Sequence, residues 1–244
     1  ASRIAQRLGM SKAVQDALMQ VFEQWDGHGM PYGIKSDAIS TISRIVLVTS
    51  FLEVFHQVDG RDAAEHVALA RRGKAFDPSV VDAFLSVAQK ESFWSGLEEE
   101  RVWDSVVSME PEQSPYQYMG EEKLIDVALA MADYADLKSP FLAGRSRRVA
   151  DLAERIARRM GLPEPEATHI YRAALVHDIG IVAVPSFILN KPQDTLTEAE
   201  REQVRLHPYH SERILSKVHA LEPLIPIVAA HHEEMDGSGY YRGI

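Results

Sequence analysis

The stretch PEATHIYRAALVHDIG, Pro165 to Gly180, decides the fold. Apolar Ile170, Ala173, Ala174 and Leu175 recur at helical spacing, a proline stands at the start and a glycine at the end. The spacing therefore predicts a helix from near Pro165 to about Gly180, with His177 and Asp178 at its C-terminal end. Upstream, Pro140 to Met160 reads as one helix with Leu142, Val149, Leu152, Ala153, Ile156 and Met160 on one face. Arg145, Arg147, Arg148, Glu154, Arg155 and Arg158 fill its wetter side, and Gly161 with Pro163 stops it. Downstream, Thr197 followed by Glu200 is a capping box, and Pro208 opens a helix through His210, Ile214 and Leu215. Leu221 to His232 reads as a last helix before the turn Asp236 to Gly239. The front half reads the same way, with helices near Ser11 to Trp25, Ser36 to His56, Arg61 to Arg72, Pro78 to Gln89 and Ser92 to Ser108. Alternating strand-like stretches are nearly absent, so the expected fold is all-α. Residues 111–118, polar and carrying two prolines, are the expected linker.

The 244 residues, 45% hydrophobic, suffice for one large or two small cores. A formal charge of −10 opposes broad nucleic-acid binding. With no cysteine, disulfides and thiolate sites are excluded, and a metal would take imidazole nitrogen and carboxylate oxygen, a set suited to iron, manganese, zinc or nickel. No apolar run approaches a bilayer span and no leader opens the chain, so a soluble, cytoplasmic protein without a membrane partner is expected.

The chain carries an internal repeat. VFEQWDGHGMPYGI at Val21 to Ile34 lies over HHEEMDGSGYYRGI at His231 to Ile244, pairing Glu23 with Glu233, Asp26 with Asp236, Gly27 with Gly237, and Gly29, Gly33 and Ile34 with Gly239, Gly243 and Ile244. Backward and ungapped, Arg3 and Ile4 fall on Arg213 and Ile214, and Val14, Leu18 and Met19 on Leu224, Val228 and Ala229. Where copy two has His231 and His232, copy one has Val21 and Phe22. The shared glycines alone would fit any pair of turns; six matches at one fixed offset favour a duplicated unit.

Three histidine-bearing elements then stand within 56 residues. His177 and Asp178 are adjacent, so only a helix end lets both reach one ion. His207 and His210 are one turn apart on one side of a helix. His231 and His232 are neighbours that on a helix diverge by about 100°, serving two metals or a metal and a phosphate. Each alone is commonly a structural histidine. Together they favour a shared metal, which satisfies buried imidazoles at once.

HDIG at His177 to Gly180, LHPYH at Leu206 to His210 and HHEEMDGSGY at His231 to Tyr240 together resemble the HD-GYP subgroup of HD-domain metal-dependent phosphohydrolases. The likeness covers roughly residues 121–244 and, more faintly, 3–85, where FDPSVVDAFL looks like the family's closing helix. It implies an HD-domain-like helical bundle, one or two divalent ions with iron or manganese favoured, and a cyclic-dinucleotide or other phosphate-ester ligand, cyclic di-GMP above all. It implies that Asp178 bridges metals as the catalytic carboxylate, that His177 holds the first ion and that His207, His231 and His232 hold the others. Arg145, Arg148, His210 and Tyr240 are the expected substrate contacts, and a homodimer is compatible with the pattern.

The chain also departs from the family. Arg145, in RSRRV, stands where the family has a ligating histidine, Phe141 where a third-metal glutamate is expected, Ile181 where a lysine is usual, and Tyr241 in place of the GYP proline. Arg145 either fills the vacated metal position and pairs with Asp178 or points outward to a phosphate; the first is favoured. The last metal aspartate has no place in copy two, and in copy one its position is Ser50, with Glu53 one turn on.

Residues 1–110 thus read as a degenerate C-terminal half and 119–244 as an N-terminal metal-binding half. As one expectation they pack into a composite domain that covers Ile42, Ile45, Val46 and Phe51; as the other, the chain is a piece of a longer tandem protein. The expected activity is a metal-dependent phosphodiesterase. The alternative is an impaired nucleotide-sensing or dimerisation module, and a less favoured third is the sensory half of a transcription regulator.

Overall fold

The computed structural model describes residues 2–98, 106, 108–109 and 121–243; the expected linker at 111–118 lies outside them. Among the described residues the structure is helical, with one isolated bridge between Arg72 and Phe76 and no strand, so the all-α expectation is borne out. The chain divides into two compact units, Ala1–Tyr118 and Met119–Ile244.

In the first unit α1 (Ser2–Arg7) and α2 (Lys12–Gln20) precede a glycine-bearing turn. Next comes α3 (Thr41–Arg71), interrupted at Gly60, whose φ of +79° is left-handed; the two helices expected here are its two arms. Asp77 caps α4 (Pro78–Ala88) by accepting from the Ser79 amide at 2.8 Å, and it pairs with Arg44 at 2.6 Å. Leu47, Val48, Leu52, Val67, Phe76 and Val81 form the core, and Trp94 of α5 (Glu91–Glu98) packs with Ala64 and Ala88. Most of the rest of the helix expected to reach Ser108 lies outside the described residues. Ile42, Ile45 and Val46 remain 46, 44 and 40% exposed on α3.

The second unit begins with α6 (Glu121–Asp136). The helix expected from Pro140 breaks at Gly144, whose φ is +68°, so a short 3-10 turn (Pro140–Leu142) precedes α7 (Arg145–Arg159). The face of α7 also differs from expectation. Leu152, Ile156 and Met160 are 60, 50 and 73% exposed, whereas Ser146, Ala150 and Ala157 are buried. Packing there selects the smallest side chains, because helices that approach closely leave no room for branched ones. α8 (Glu164–Val176) lies against α7 and ends at the His177 corner, followed by a 3-10 turn (Ile179–Ala183) and the short α9 (Ser186–Leu189). α10 (Glu198–Arg205) opens with the expected Thr197–Glu200 capping box, and α11 (His207–Leu215) has Pro208 in its first turn. The single helix expected from Leu221 to His232 is a 3-10 segment (His219–Leu224) followed by α12 (Ile225–Ala229). Pro223 and Pro226 lack the amides a continuous α-helix needs, and at Ala230, φ −104°, the chain leaves helical geometry. His231 and His232 therefore sit in a turn beyond the helix. The core gathers Ala128, Ala132, Ala150, Ala173, Leu175, Val176, Leu215, Leu221 and Val228.

Candidate metal centre

The end of α8 places the first two candidate ligands. His177 caps its C-terminus and keeps helical geometry, at φ −55°, ψ −40°, and Asp178 turns out at φ −94°, ψ 11°. This change lets adjacent side chains face one point. Gly180 makes the corner possible, because a Cβ there would lie 2.0 Å from the His207 carbonyl oxygen and 2.4 Å from the Ser211 amide. In that space the Gly180 amide donates to Ser211 Oγ at 2.8 Å, and the same hydroxyl donates to the His177 carbonyl at 2.9 Å. One serine thus ties the end of α8 to α11. The sequence reading did not single it out; its signal was its place four residues, one turn, after His207.

Three imidazoles are oriented by a single device. Nδ1 of His177 lies 2.7 Å from the Ala174 carbonyl, that of His207 2.7 Å from Val204, and that of His231 2.6 Å from Val228. A carbonyl only accepts, so each Nδ1 carries a proton and each Nε2 is turned inward, where it either donates a proton to Asp178 or, once that proton is given up, offers its lone pair to a cation. Those atoms converge on Asp178: His177 Nε2 is 3.0 Å from Oδ2, while His207 and His231 Nε2 are 3.2 and 3.6 Å from Oδ1. Nε2 of His207 and of His231 are 3.0 Å apart. Two lone pairs at that distance repel unless a proton or a cation sits with them.

His232 joins the group, its ring centroid 4.3 Å from His231 and 4.9 Å from His207, and it stacks on Tyr240 at 4.6 Å. Beyond the helix the two neighbours converge, in place of the divergence expected on a helix. His207, His231 and His232 form one set of donors able to hold an ion, and His177, Asp178 and His231 another.

Electrostatics agrees with the geometry. Burial would raise the Asp178 carboxyl, but hydrogen bonds from His177, His207 and His231 outweigh it and hold the group well below the usual carboxylate range. Burial, then electrostatic repulsion from the neighbouring His231 and His207 rings, pushes His232 down to about 4, so it is a neutral ligand at physiological pH. Arg145 Nε stands 3.4 Å from Asp178 Oδ2.

A cavity of about 540 Å³ opens on this centre, lined by Phe141, Arg145, Asp178, Lys191, His207, His232 and Tyr240 among others. A second, of about 310 Å³, reaches Arg145, His177, His231 and His232 from another side. Ile181 lines the larger one, as does Phe141, which is 78% exposed. Asn190, held by Ser139 at 2.7 Å, and Lys191 are lining residues that sequence reasoning missed, since a polar loop carries no periodic signal. Arg148 donates to the Ala143 carbonyl at 3.0 Å, and the ring of His210 lies 5.4 Å from Tyr209; neither lines either cavity.

Residues 130–244 match the model of the HD domain family. Over 241 residues the chain is 34% identical to 3'3'-cGAMP-specific phosphodiesterase 3 of Vibrio cholerae, covering 99% of this chain and 52% of that protein. It is 36% identical over 124 residues to a cyclic di-GMP phosphodiesterase of Thermotoga maritima, covering 50% and 33%. A crystal structure of a cyclic GMP-AMP-specific phosphodiesterase of V. cholerae superposes with a TM-score of 0.72 at 30% identity, covering 94% of this chain and 59% of that one. The chain thus spans about half the length, or less, of these curated relatives.

Proposed function

We propose that the chain, whose residues 130–244 match the HD domain family, is a metal-dependent phosphodiesterase acting on cyclic dinucleotides, 3'3'-cGAMP or cyclic di-GMP. The carrying observation is the trio of Nδ1–H groups fixed on backbone carbonyls, which turns three Nε2 atoms onto one buried carboxylate. Such a donor set fits a divalent ion: neutral imidazoles and a carboxylate suit iron or manganese, as well as zinc or nickel. His207, His231, His232 and Asp178 would hold it. When bound, a divalent cation supplies an acidified water and offsets charge on the phosphoryl oxygens.

The chain's own groups do the rest. Asp178, kept ionised, carries the negative charge that fixes the cation. The carbonyls of Ala174, Val204 and Val228 hold the imidazoles in the ligating tautomer. Arg145 and Lys191 at the cavity wall offer N–H donors to phosphate oxygens. The exposed ring of Phe141 offers a face on which a base stacks, while Tyr240, stacked on His232 and covered by Arg205, closes the wall beside it. Water adds across one P–O ester bond, that bond breaks, and a linear dinucleotide leaves.

The test is incubation of protein loaded with manganese or iron with each cyclic dinucleotide, following the linear product by chromatography. Metal-dependent opening of either ring is expected, and no turnover with either metal contradicts the reading. One observation, the Arg145–Asp178 ion pair, favours instead a binding module that keeps the pocket without catalysis. Saturable nucleotide binding without turnover would be its mark.

A further inference from the structure

The carboxylate of Asp178 has two differently furnished oxygens. Oδ1 faces His207 Nε2 and His231 Nε2, at 3.2 and 3.6 Å. Oδ2 faces His177 Nε2 at 3.0 Å and Arg145 Nε at 3.4 Å. The two candidate donor sets share His231. With its Nδ1–H committed to Val228, that ring has a single lone pair and serves one cation. If it serves the set with His207 and His232, the Oδ2 side keeps, among the described residues, only His177 and Asp178 as donors. The remaining position there belongs to a guanidinium, permanently charged and without a lone pair to give.

Resting on the metal-dependent reading above, the geometry points to a mononuclear centre: one divalent ion on His207, His231, His232 and Asp178 Oδ1, with Arg145 as the second positive charge on Oδ2. Among the described residues a second ion would find two protein donors and a fixed like charge beside the oxygen it must share. Arg145 lines both cavities, so its remaining N–H groups stand where a substrate phosphate enters. It replaces an ion as a positioning charge, and supplies no Lewis acid.

Metal stoichiometry tests this independently of activity. Full-length protein stripped with chelator and reloaded with manganese alone should bind one ion per chain by elemental analysis and give the six-line spectrum of an isolated Mn(II) in electron paramagnetic resonance. Arg145→His exchanges the fixed cation for a donor whose Nε2 reaches about as far along the side chain as arginine Nε. It should bind two ions with an exchange-coupled spectrum. Arg145→Gln, which removes the charge but adds no imidazole, should remain at one. Arg145 sits at the half-exposed start of α7, and circular dichroism checks that each variant is folded. Two ions in the unmodified protein, or a single ion in folded Arg145→His, overturns the inference and leaves the hydrolase reading intact. No manganese in any variant overturns both. One ion without hydrolysis of either cyclic dinucleotide supports the stoichiometry and removes the hydrolase reading alone.

Discussion

The turn at residues 21–34 and the turn at residues 231–243 are built alike, yet only the second opens on a pair of imidazoles. In the first, Glu23 accepts from the amides of Tyr32 and Ile34 at 2.6 and 3.1 Å; in the second, Glu233 accepts from those of Arg242 and Gly243 at 2.8 and 3.3 Å. Asp26 accepts from the His28 amide at 3.1 Å as Asp236 does from Ser238 at 3.0 Å. The Met30 amide reaches the Phe22 carbonyl, and the Tyr240 amide the His232 carbonyl, both at 3.1 Å. A carboxylate and a set of glycines fold this loop with or without metal ligands at its start. The scaffold and the chemistry are separable, which is why valine and phenylalanine stand at 21 and 22 without loss of the turn.

Breaking the chemistry while sparing the scaffold should give the largest effect. His231→Ala removes the imidazole common to both donor sets; metal content should fall to near zero and hydrolysis by about three orders of magnitude, roughly 4 kcal/mol of barrier. Elemental analysis and turnover with manganese check it, while the melting temperature of metal-free protein should barely move. Retained metal would mean that the copies differ in sequence but not in ligation.

Breaking the scaffold should cost both copies alike. A Cβ at Gly29 would stand 2.2 Å from the Gln24 nitrogen and 2.4 Å from the Glu23 Cα; at Gly239 it would stand 2.4 Å from the Glu234 nitrogen and 2.5 Å from the Glu233 Cα. Either glycine changed to alanine should lose about 3 kcal/mol in denaturant unfolding, but only Gly239→Ala should weaken metal binding. Equal loss of metal from Gly29→Ala would break the separation drawn here.

The copies should differ at their glutamates. Glu23 is 1% exposed and Glu233 only half-buried, so Glu23→Gln, which sets an amide N–H group against a backbone donor, should cost about 2 kcal/mol, and Glu233→Gln under about 1. Chemical denaturation of each variant decides it; reversal of that order would mean burial does not control the cost.

The smallest effect is one of pH. His232, ordinarily near 6.5 and held at about 4, stays neutral in the fold while the unfolded chain takes up a proton, so metal-free protein loses stability as pH falls from 6.5 to 4 and levels off below. His177, which burial lowers but Asp178 raises by more, acts oppositely, so the comparison is between variants. His232→Phe, which gives copy two the Phe22 of copy one, should flatten the melting-temperature profile across that window. An unchanged slope would contradict the assignment.

The helices and the repeat were legible because periodicity and fixed offset are properties of the chain itself. The buried face of α7 was not. Hydropathy ranks Leu152 and Ile156 above Ala150 and Ala157, whereas close approach to α8 ranks them in reverse. Convergence of His231 and His232 was hidden for another reason: two prolines shorten the last helix, and an ideal-helix wheel then misdirects adjacent side chains. Ser211 was hard to read as a locking residue because a serine on a helix ordinarily reads as solvent-facing, and its buried partners, the Gly180 amide and the His177 carbonyl, lie on another element.

X-ray absorption at the metal edge of manganese-loaded protein tests the shared centre most directly. The account predicts a nitrogen and oxygen shell with the outer-shell scattering of about three imidazoles per ion. A shell of oxygen alone, without imidazole scattering, would contradict it.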